Sequence, residues 1–297
     1  MSKQPWAWLN GTALDLDNYF NNGDRKIAAL KPLIYPDGKN VLETRRRCDS
    51  SDADMACVYL LVDEIHIYAD DVRLFNWDMQ YGRMDRRIED MVFTLRAATR
   101  FYGAMGLKRI AIVEPHSYKM LDIIQGTRIK SIPLGNEWLH HVREHSHYDK
   151  IVFPDDGAYE RYGYGQIPEG DIIRLNKKRN PKTGKIEKIW LESGTLKPGD
   201  KVLIMDDVCD TGETLLWAIK LLKEMGAGEI YIWVVHLLPI KFNRELVESP
   251  LVKGVYSTPS YVREPHEKVT DMLELIRSKK PEKDPLDELI EKYLLYN

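Results

Sequence analysis

The chain has 297 residues, 43% of them hydrophobic, enough for one large core or two medium ones; 43 basic against 46 acidic residues leave a net charge of -3. That balance excludes a global field for nucleic acid or an anionic membrane and favours small polar ligands. Cys48, Cys57 and Cys209 are far apart and unpatterned, which excludes a disulfide framework or CxxC site. With no signal-like N-terminus and no apolar run of about 18 residues, a soluble cytoplasmic protein without a membrane partner is expected.

Along the chain, apolar runs alternate with amphipathic segments: VYLLVDEIHIYA, MVFTLRAATRFYGAMG, RIAIVEPH, NEWLHHVREH, KIVFPDDG, DIIRLN, KVLIMDD and EIYIWVVHLL. Strands spaced by helices of this length predict parallel βαβ units. The expected fold class is therefore α/β, two lobes each with a mostly parallel sheet flanked by helices. The lobes are placed at 1–133 and 134–275, and 276–297 reads as a charged linker followed by an amphipathic helix. Within NEWLHHVREH, the residues His141 to His145 fit the zinc-protease pattern HxxEH. Leu134, Trp138, Leu139 and Val142 form the buried face of that helix, which turns His141 and His145 largely to solvent, so surface histidines are expected there.

The stretch 206-DDVCDTGET-214 carries the chemistry. It follows the apolar strand KVLIM and precedes LLWAIKLLKEMG, whose Leu215, Leu216, Ala218, Ile219 and Leu222 share one helical face, with Gly226 as the stop. An acidic loop between a buried strand and a helix lies where open α/β sheets bind ligands. Gly212 permits close backbone approach, the amides from Asp210 to Thr214 point outward at a helix N-terminus, and the Thr211 and Thr214 hydroxyls add donors, together an anion cradle suited to a sugar 5-phosphate. Asp206 and Asp207 can accept hydrogen bonds from ribose hydroxyls or hold a hydrated Mg²⁺.

This loop resembles the ribose-phosphate loop shared by phosphoribosyltransferases and ribose-phosphate pyrophosphokinases, the enzymes that use or make phosphoribosyl pyrophosphate (PRPP). Further segments resemble the pyrophosphokinases in particular. Residues 35-YPDG-38 are similar to the family's FxDGE loop, which reaches adenine across a subunit interface, and 81-YGRMDRR-87 to its ATP-contacting YxRxDRK. The segment 114-EPHS-117 is similar to DLH, 154-PDDGA-158 to PDxGG, and 176-NKKRNPKTGKIEKI-189 to the mobile loop DKRRP. Order and approximate spacing agree from about Tyr35 to about Thr258.

The resemblance implies phosphoribosyltransferase-like lobes and diphosphate transfer from ATP to ribose 5-phosphate. Tyr35, Asp37, Arg83 and His116 would meet ATP, His116 and Asp155 would hold Mg²⁺, and Lys177 and Arg179 would act on the transferring group. Asp206, Asp207, Asp210, Thr211, Gly212 and Thr214 would bind ribose phosphate. It also implies a homo-oligomer built from dimers and grouped into hexamers. Lys39, Met84, Pro115, Ala158 and Glu213 depart from the family's Glu, Gln, Leu, Gly and Gly; Lys39 and Met84 fall at the nucleobase contacts. Two alternatives stand beside this reading, a phosphoribosyltransferase that consumes PRPP and a non-catalytic regulatory relative.

Overall fold

Strands β1 (Ala7–Leu9), β2 (Thr12–Ala13), β5 (Asn40–Thr44), β6 (Val72–Asn76), β7 (Arg109–Val113) and β8 (Arg128–Ile132) form the first sheet in the order β2-β1-β5-β6-β7-β8, beside a small hairpin of β3 (Asn18–Tyr19) and β4 (Arg25–Lys26). These elements come from a computed structural model that describes residues 5–16, 18–19, 21, 25–47, 51–83, 93–118, 127–164, 167–180 and 183–296. From β5 to β8 the pairing is parallel, and β1 and β2 close the edge antiparallel. Helix α1 (Ser51–His66) covers this sheet with Cys57, Val58, Leu61, Val62 and Ile65, all buried; their spacing is that of one helical face. Helix α2 (Thr94–Ala104) adds Leu95, Ala98 and Tyr102 to the same core.

The second sheet runs β11-β10-β9-β12-β13-β14-β15, from β9 (Lys150–Phe153), β10 (Ile172–Arg179), β11 (Ile186–Ser193), β12 (Val202–Cys209), β13 (Ile230–Leu237), β14 (Val252–Ser257) and β15 (Val269–Asp271). All neighbours pair parallel except β10 and β11. The central strand β12 is buried along Val202–Met205, the continuous apolar run expected where helices cover a parallel sheet. Flanking helices are α3 (Leu134–Glu137), α4 (Leu139–His145), α5 (Asp156–Tyr162), α6 (Glu213–Glu224), α7 (Ile240–Glu248) and α8 (Met272–Ser278). Leu215, Ala218, Ile219 and Leu222 of α6 are buried against this sheet as expected, whereas Leu216 is only partly buried. Two mostly parallel sheets with helical cover confirm the fold class.

The chain partitions into unit 1 (Met1–Ile132, Ser260–Val262, Pro281–Asn297) and unit 2 (Pro133–Pro259, Arg263–Lys280). Residues 276–280 thus finish α8 and its turn inside unit 2. The closing helix α9 (Pro285–Ile290) belongs to unit 1. Asp284 caps it by accepting the Leu286 N–H at 2.9 Å, Pro285 occupies the first turn, and Leu286, Leu289 and Leu294 are buried. The carbonyls beyond α9 find cationic donors: Arg73 and Arg109 donate to Leu294 O at 2.5 and 3.3 Å, and Arg109 to Tyr296 O at 2.6 Å. Among the described residues no helix is long and apolar enough to cross a membrane.

The segment read as one amphipathic helix around HxxEH is two, α3 and α4, divided at Trp138. Leu134, Trp138, Leu139 and Val142 are buried and His145 is exposed. His141 departs from the expectation: its side chain is only 23% exposed and its Nδ1 lies 3.6 Å from Glu144, whose carboxylate is held below its usual range by a hydrogen bond from Lys279.

Candidate active site

Strand β12 ends later than the sequence pattern implies. Asp206 and Asp207 are not in a loop but still in the ladder, where Asp206 faces Val234, Val208 faces His236 and Cys209 faces Leu237 of β13. Alternation along the strand sends the two carboxylates to opposite sides. Asp207 is buried and approaches Arg161 Nη2 at 3.6 Å; Asp206 keeps partial exposure, and its Oδ1 accepts the Asp207 N–H at 2.8 Å. Burial and the nearby charges of Asp207 and then Asp155 push the Asp206 carboxyl well above the ordinary range, against a smaller pull from Lys177.

The turn into α6 is therefore short. Gly212 is its N-cap residue at φ 76°, and a Cβ there would stand 2.9 Å from Leu246 Cβ, so only glycine fits both the left-handed backbone and the wall behind it. The Glu213 N–H points at Thr211 Oγ1 at 3.4 Å, and Thr214 lies in the first turn of α6. The back of the turn is steadied by Asn243 in a kink of α7 (φ -127°, ψ 26°), whose amide donates to Leu238 O at 2.8 Å and Asp210 O at 3.5 Å. Cys209 is free and buried, with its thiol pushed up by burial.

The segment that resembles a mobile loop forms, over its described residues, the outer part of two paired strands, an arm. Parallel pairing of β10 with β9 stops at Arg174, while antiparallel pairing with β11 continues to Arg179. Lys177 and Arg179, two residues apart, project from one face of the arm. Lys177 Nζ lies 2.5 Å from Asp155 Oδ2 and 3.2 Å from Thr214 Oγ1; Arg179 donates to Thr214 Oγ1 at 2.8 Å and to Gly184 O at 2.8 Å. Asp155 also caps α5, its Oδ1 accepting the Ala158 N–H at 2.9 Å. Lys177, Arg179, Asp155 and Thr214 thus meet at the N-terminus of α6, close enough to Asp206 for charge coupling. Fixed cations, a hydroxyl and a helix N-terminus converging there can hold a phosphate-bearing ligand.

Several partners carried no readable sequence signal. Asp156 accepts from Arg174 at 3.0 Å and from Asn176 at 2.9 Å, and Arg174 stacks 3.9 Å over Tyr159. Glu213, one of the departures, approaches Arg179 Nη1 and the Ile186 N–H, both at 3.5 Å, so a side chain in place of glycine tethers the arm.

Tyr35, Asp37, Arg83 and His116 belong to unit 1 and are all exposed. The first two lie in a turn before β5, held by Asn40, which accepts the Tyr35 N–H at 2.8 Å and donates to Tyr35 O at 2.9 Å. Arg83 and His116 follow β6 and β7, beyond Tyr81 (φ 62°) and Glu114 (φ 40°), both in the left-handed region that non-glycine residues rarely adopt. Because β5, β6 and β7 are parallel, the Tyr35 turn and the Arg83 and His116 segments stand at opposite ends of this sheet. Met84, Asp85, Arg86 and Arg87 lie outside the described residues. The departing Lys39 donates to Leu295 O at 3.1 Å, so the C-terminal segment occupies it.

Comparison with known proteins bears on this arrangement. Residues 169–258, which span β10 to the end of β14, match the phosphoribosyl transferase domain model. A ribose-phosphate pyrophosphokinase of Saccharolobus solfataricus is 25% identical over 238 residues, 79% of this chain and 76% of that protein. One from Marinomonas sp. is 26% identical over 209 residues, 67% of this chain but 64% of its relative. The chain is thus similar to ribose-phosphate pyrophosphokinases over most of its length. The crystal structure of phosphoribosylpyrophosphate synthetase from Mycobacterium smegmatis, 17% identical, superposes with a TM-score of 0.67 over 90% of this chain and 88% of that one, so the two share a fold. An orotate phosphoribosyltransferase of Pyrococcus abyssi is 38% identical, but over 91 residues, 30% of this chain. Family likeness thus extends through both sheets, whereas the likeness to that transferase covers less than a third of the chain.

Proposed function

We propose that this chain is a Mg²⁺-dependent ribose-phosphate pyrophosphokinase, transferring diphosphate from ATP to the 1-hydroxyl of ribose 5-phosphate and giving PRPP and AMP. The observation that carries the reading is the convergence of Lys177 and Arg179 on Thr214 at the start of α6. It is joined to pyrophosphokinase likeness along 79% of the chain.

In this reading the 5-phosphate lies on the amides and hydroxyls of Thr211, Gly212 and Thr214, and the ribose hydroxyls donate to Asp206, with Asp210 closing the turn; Asp207, expected from the sequence to share that role, is turned to the other side of β12 beside Arg161. The 1-hydroxyl oxygen attacks the β-phosphorus in line, a new O–P bond forms, the bond to the AMP oxygen breaks, and the hydroxyl proton is lost. Such a transfer needs positioning and charge neutralisation more than covalent catalysis. Lys177 and Arg179, now on Asp155 and Thr214, would turn to the β-phosphoryl oxygens as ligand enters.

The donor chemistry around Asp155 fits a hard cation. Asp206 is raised by burial first and then by the charges of Asp207 and Asp155, and the carboxylate part of that cost is what a divalent ion relieves. Mg²⁺ is held through one or two protein ligands and substrate phosphates. Asp155 would supply one such ligand, and the ion would neutralise triphosphate charge. For ATP, the Tyr35 and Asp37 turn is separated from Arg83 and His116 by the length of β5, five residues or about 16 Å. This supports a nucleotide site completed by a second copy in a homo-oligomer; the resemblance to pyrophosphokinases adds the expectation of dimers grouped into hexamers.

The test is formation of AMP and PRPP from ATP, Mg²⁺ and ribose 5-phosphate, with other nucleoside triphosphates in parallel. Equal amounts of both products support the reading. Neither product, with ribose 5-phosphate or PRPP still bound, refutes it, and nucleobase-dependent PRPP consumption would then separate a transferase from a regulatory relative.

A further inference from the structure

Strand β10 has two mechanical parts. From Ile172 to Arg174 it pairs with β9; pairing with β11 begins at Arg174, the one residue held on both sides, and beyond it the strand has β11 alone. The register with β11 also shifts between Arg174 and Leu175, a local irregularity that lets the outer part bend away. A two-stranded ribbon is weakly stable by itself, so its direction has to be fixed at the root.

Asp156 stands at that root. It is the first residue of α5, directly after the Asp155 cap, so its position is set by the helix start rather than by the arm. One carboxylate oxygen accepts from Arg174 Nη2 at 3.0 Å, the last residue of β10 inside the sheet, and the other accepts from Asn176 Nδ2 at 2.9 Å, on the arm. Asn176 then uses its Oδ1 to accept the Lys177 N–H at 2.8 Å. The Arg174 guanidinium is fixed from above by the Tyr159 ring at 3.9 Å, also on α5.

We infer that Asp156 is a positioning residue: it clamps the arm at the junction between sheet and ribbon and so aims Lys177 and Arg179 at the start of α6. This rests on the proposed activity for its kinetic consequence and on geometry alone for its mechanical one. The adjacent acids divide the labour, since Asp155 meets the Lys177 ammonium itself and Asp156 meets the backbone-bearing residues behind it. An ionised carboxylate is required because it must accept from an arginine and an amide at once; an asparagine would present one acceptor and turn a donor toward one of these donors.

Two variants test this, Asp156→Asn on the helix and Asn176→Ala on the partly exposed arm, the second retaining the test should the first not fold. Turnover with ATP and ribose 5-phosphate should fall roughly 10- to 100-fold, since misplacing a catalytic group by about 1 Å costs this much, while KM for ribose 5-phosphate stays near the parent value because the Asp206 to Thr214 segment is untouched. Tryptic cleavage within the arm, after Lys178, Arg179, Lys185 or Lys188, should accelerate roughly tenfold at little-changed melting temperature, because opening the arm loses a hydrogen bond to a charged group. Parent-like cleavage in a folded variant overturns the clamp whatever the turnover. Faster cleavage with unchanged turnover overturns the positioning role. Cleavage needs no activity, so a chain that makes no PRPP still answers the mechanical question.

Discussion

Replacing Gly212 by alanine tests the geometry on which the phosphate cradle depends. Two separate costs can be worked out. The residue sits at φ 76°, where an L-residue with a Cβ loses about 1–2 kcal/mol relative to glycine. The added methyl would also meet Leu246, at 2.9 Å from its Cβ and 3.1 Å from its Cδ2, and Leu246 is fully buried and cannot swing away. Overpacking of that kind costs about 1–3 kcal/mol, so the total should be about 2–5 kcal/mol. Gly199 provides the control: it has φ 89°, and a Cβ there meets nothing within 4 Å, so Gly199→Ala should cost only the conformational part, about 1–2 kcal/mol. Urea unfolding followed by far-ultraviolet circular dichroism reads both, with ribose 5-phosphate binding by calorimetry alongside. Gly212→Ala should be the less stable and should lose ribose 5-phosphate, whereas Gly199→Ala should bind it normally. Equal destabilisation of the two variants would mean that Leu246 does not wall the turn, and retained binding in Gly212→Ala would remove the cradle from the site.

Lys177→Ala should lower turnover by about 10²–10³-fold with ribose 5-phosphate binding nearly intact, because its ammonium acts on the transferring group; parallel loss of binding and turnover in single-turnover and calorimetric measurements would make the arm structural. For Asp206 the folded carboxyl is raised above the ordinary value of 3.8, so its stabilising effect is complete below that value and is lost as pH rises through the folded value. The Asp206 contribution to the unfolding free energy of the ligand-free protein should therefore decline with rising pH above about 4. Asp206→Asn should flatten that slope, and an unchanged slope would refute the assignment. Arg109→Ala should destabilise unit 1 by about 1–3 kcal/mol, since it leaves the Leu294 and Tyr296 carbonyls without this donor, and should leave ribose 5-phosphate binding untouched; a parent-like unfolding curve would show that the C-terminal segment is held otherwise.

Much of this arrangement was legible because it rests on local pattern. The apolar run at Val202–Met205 has to be a strand buried on both faces, the face at Leu215, Ala218, Ile219 and Leu222 has to be a helix, and the short polar stretch between them has to turn at glycine. The pattern misled where tertiary pairing overrides propensity: two aspartates read as loop, yet pairing with β13 keeps Asp206 and Asp207 in the sheet. The same holds for His141, whose helical position suggests exposure until His140 packs on its ring at 3.7 Å between centroids. Least legible were long-range partners. Nothing near Asp156 in sequence announces Arg174 and Asn176, and nothing near Lys39 announces Leu295.

Those long-range partners also explain why acids occur in adjacent pairs at both edges of the site. At Asp206 and Asp207, strand alternation sends one carboxylate toward the open end and the other to Arg161. At Asp155 and Asp156, the start of α5 does the separating: the cap residue reaches Lys177 and the next residue reaches back to β10. In each pair one acid has the ligand side and the other is bonded to scaffold. Asp206 is raised by burial first and then by the charges of Asp207 and Asp155, with Lys177 the opposing cation; fixing each scaffold acid to an arginine keeps it out of the ligand's place. Substitutions at the scaffold member of each pair should therefore register first in stability or arm order, and at the ligand member first in binding or turnover. A single surface acid would have to serve both ends and could be optimised for neither.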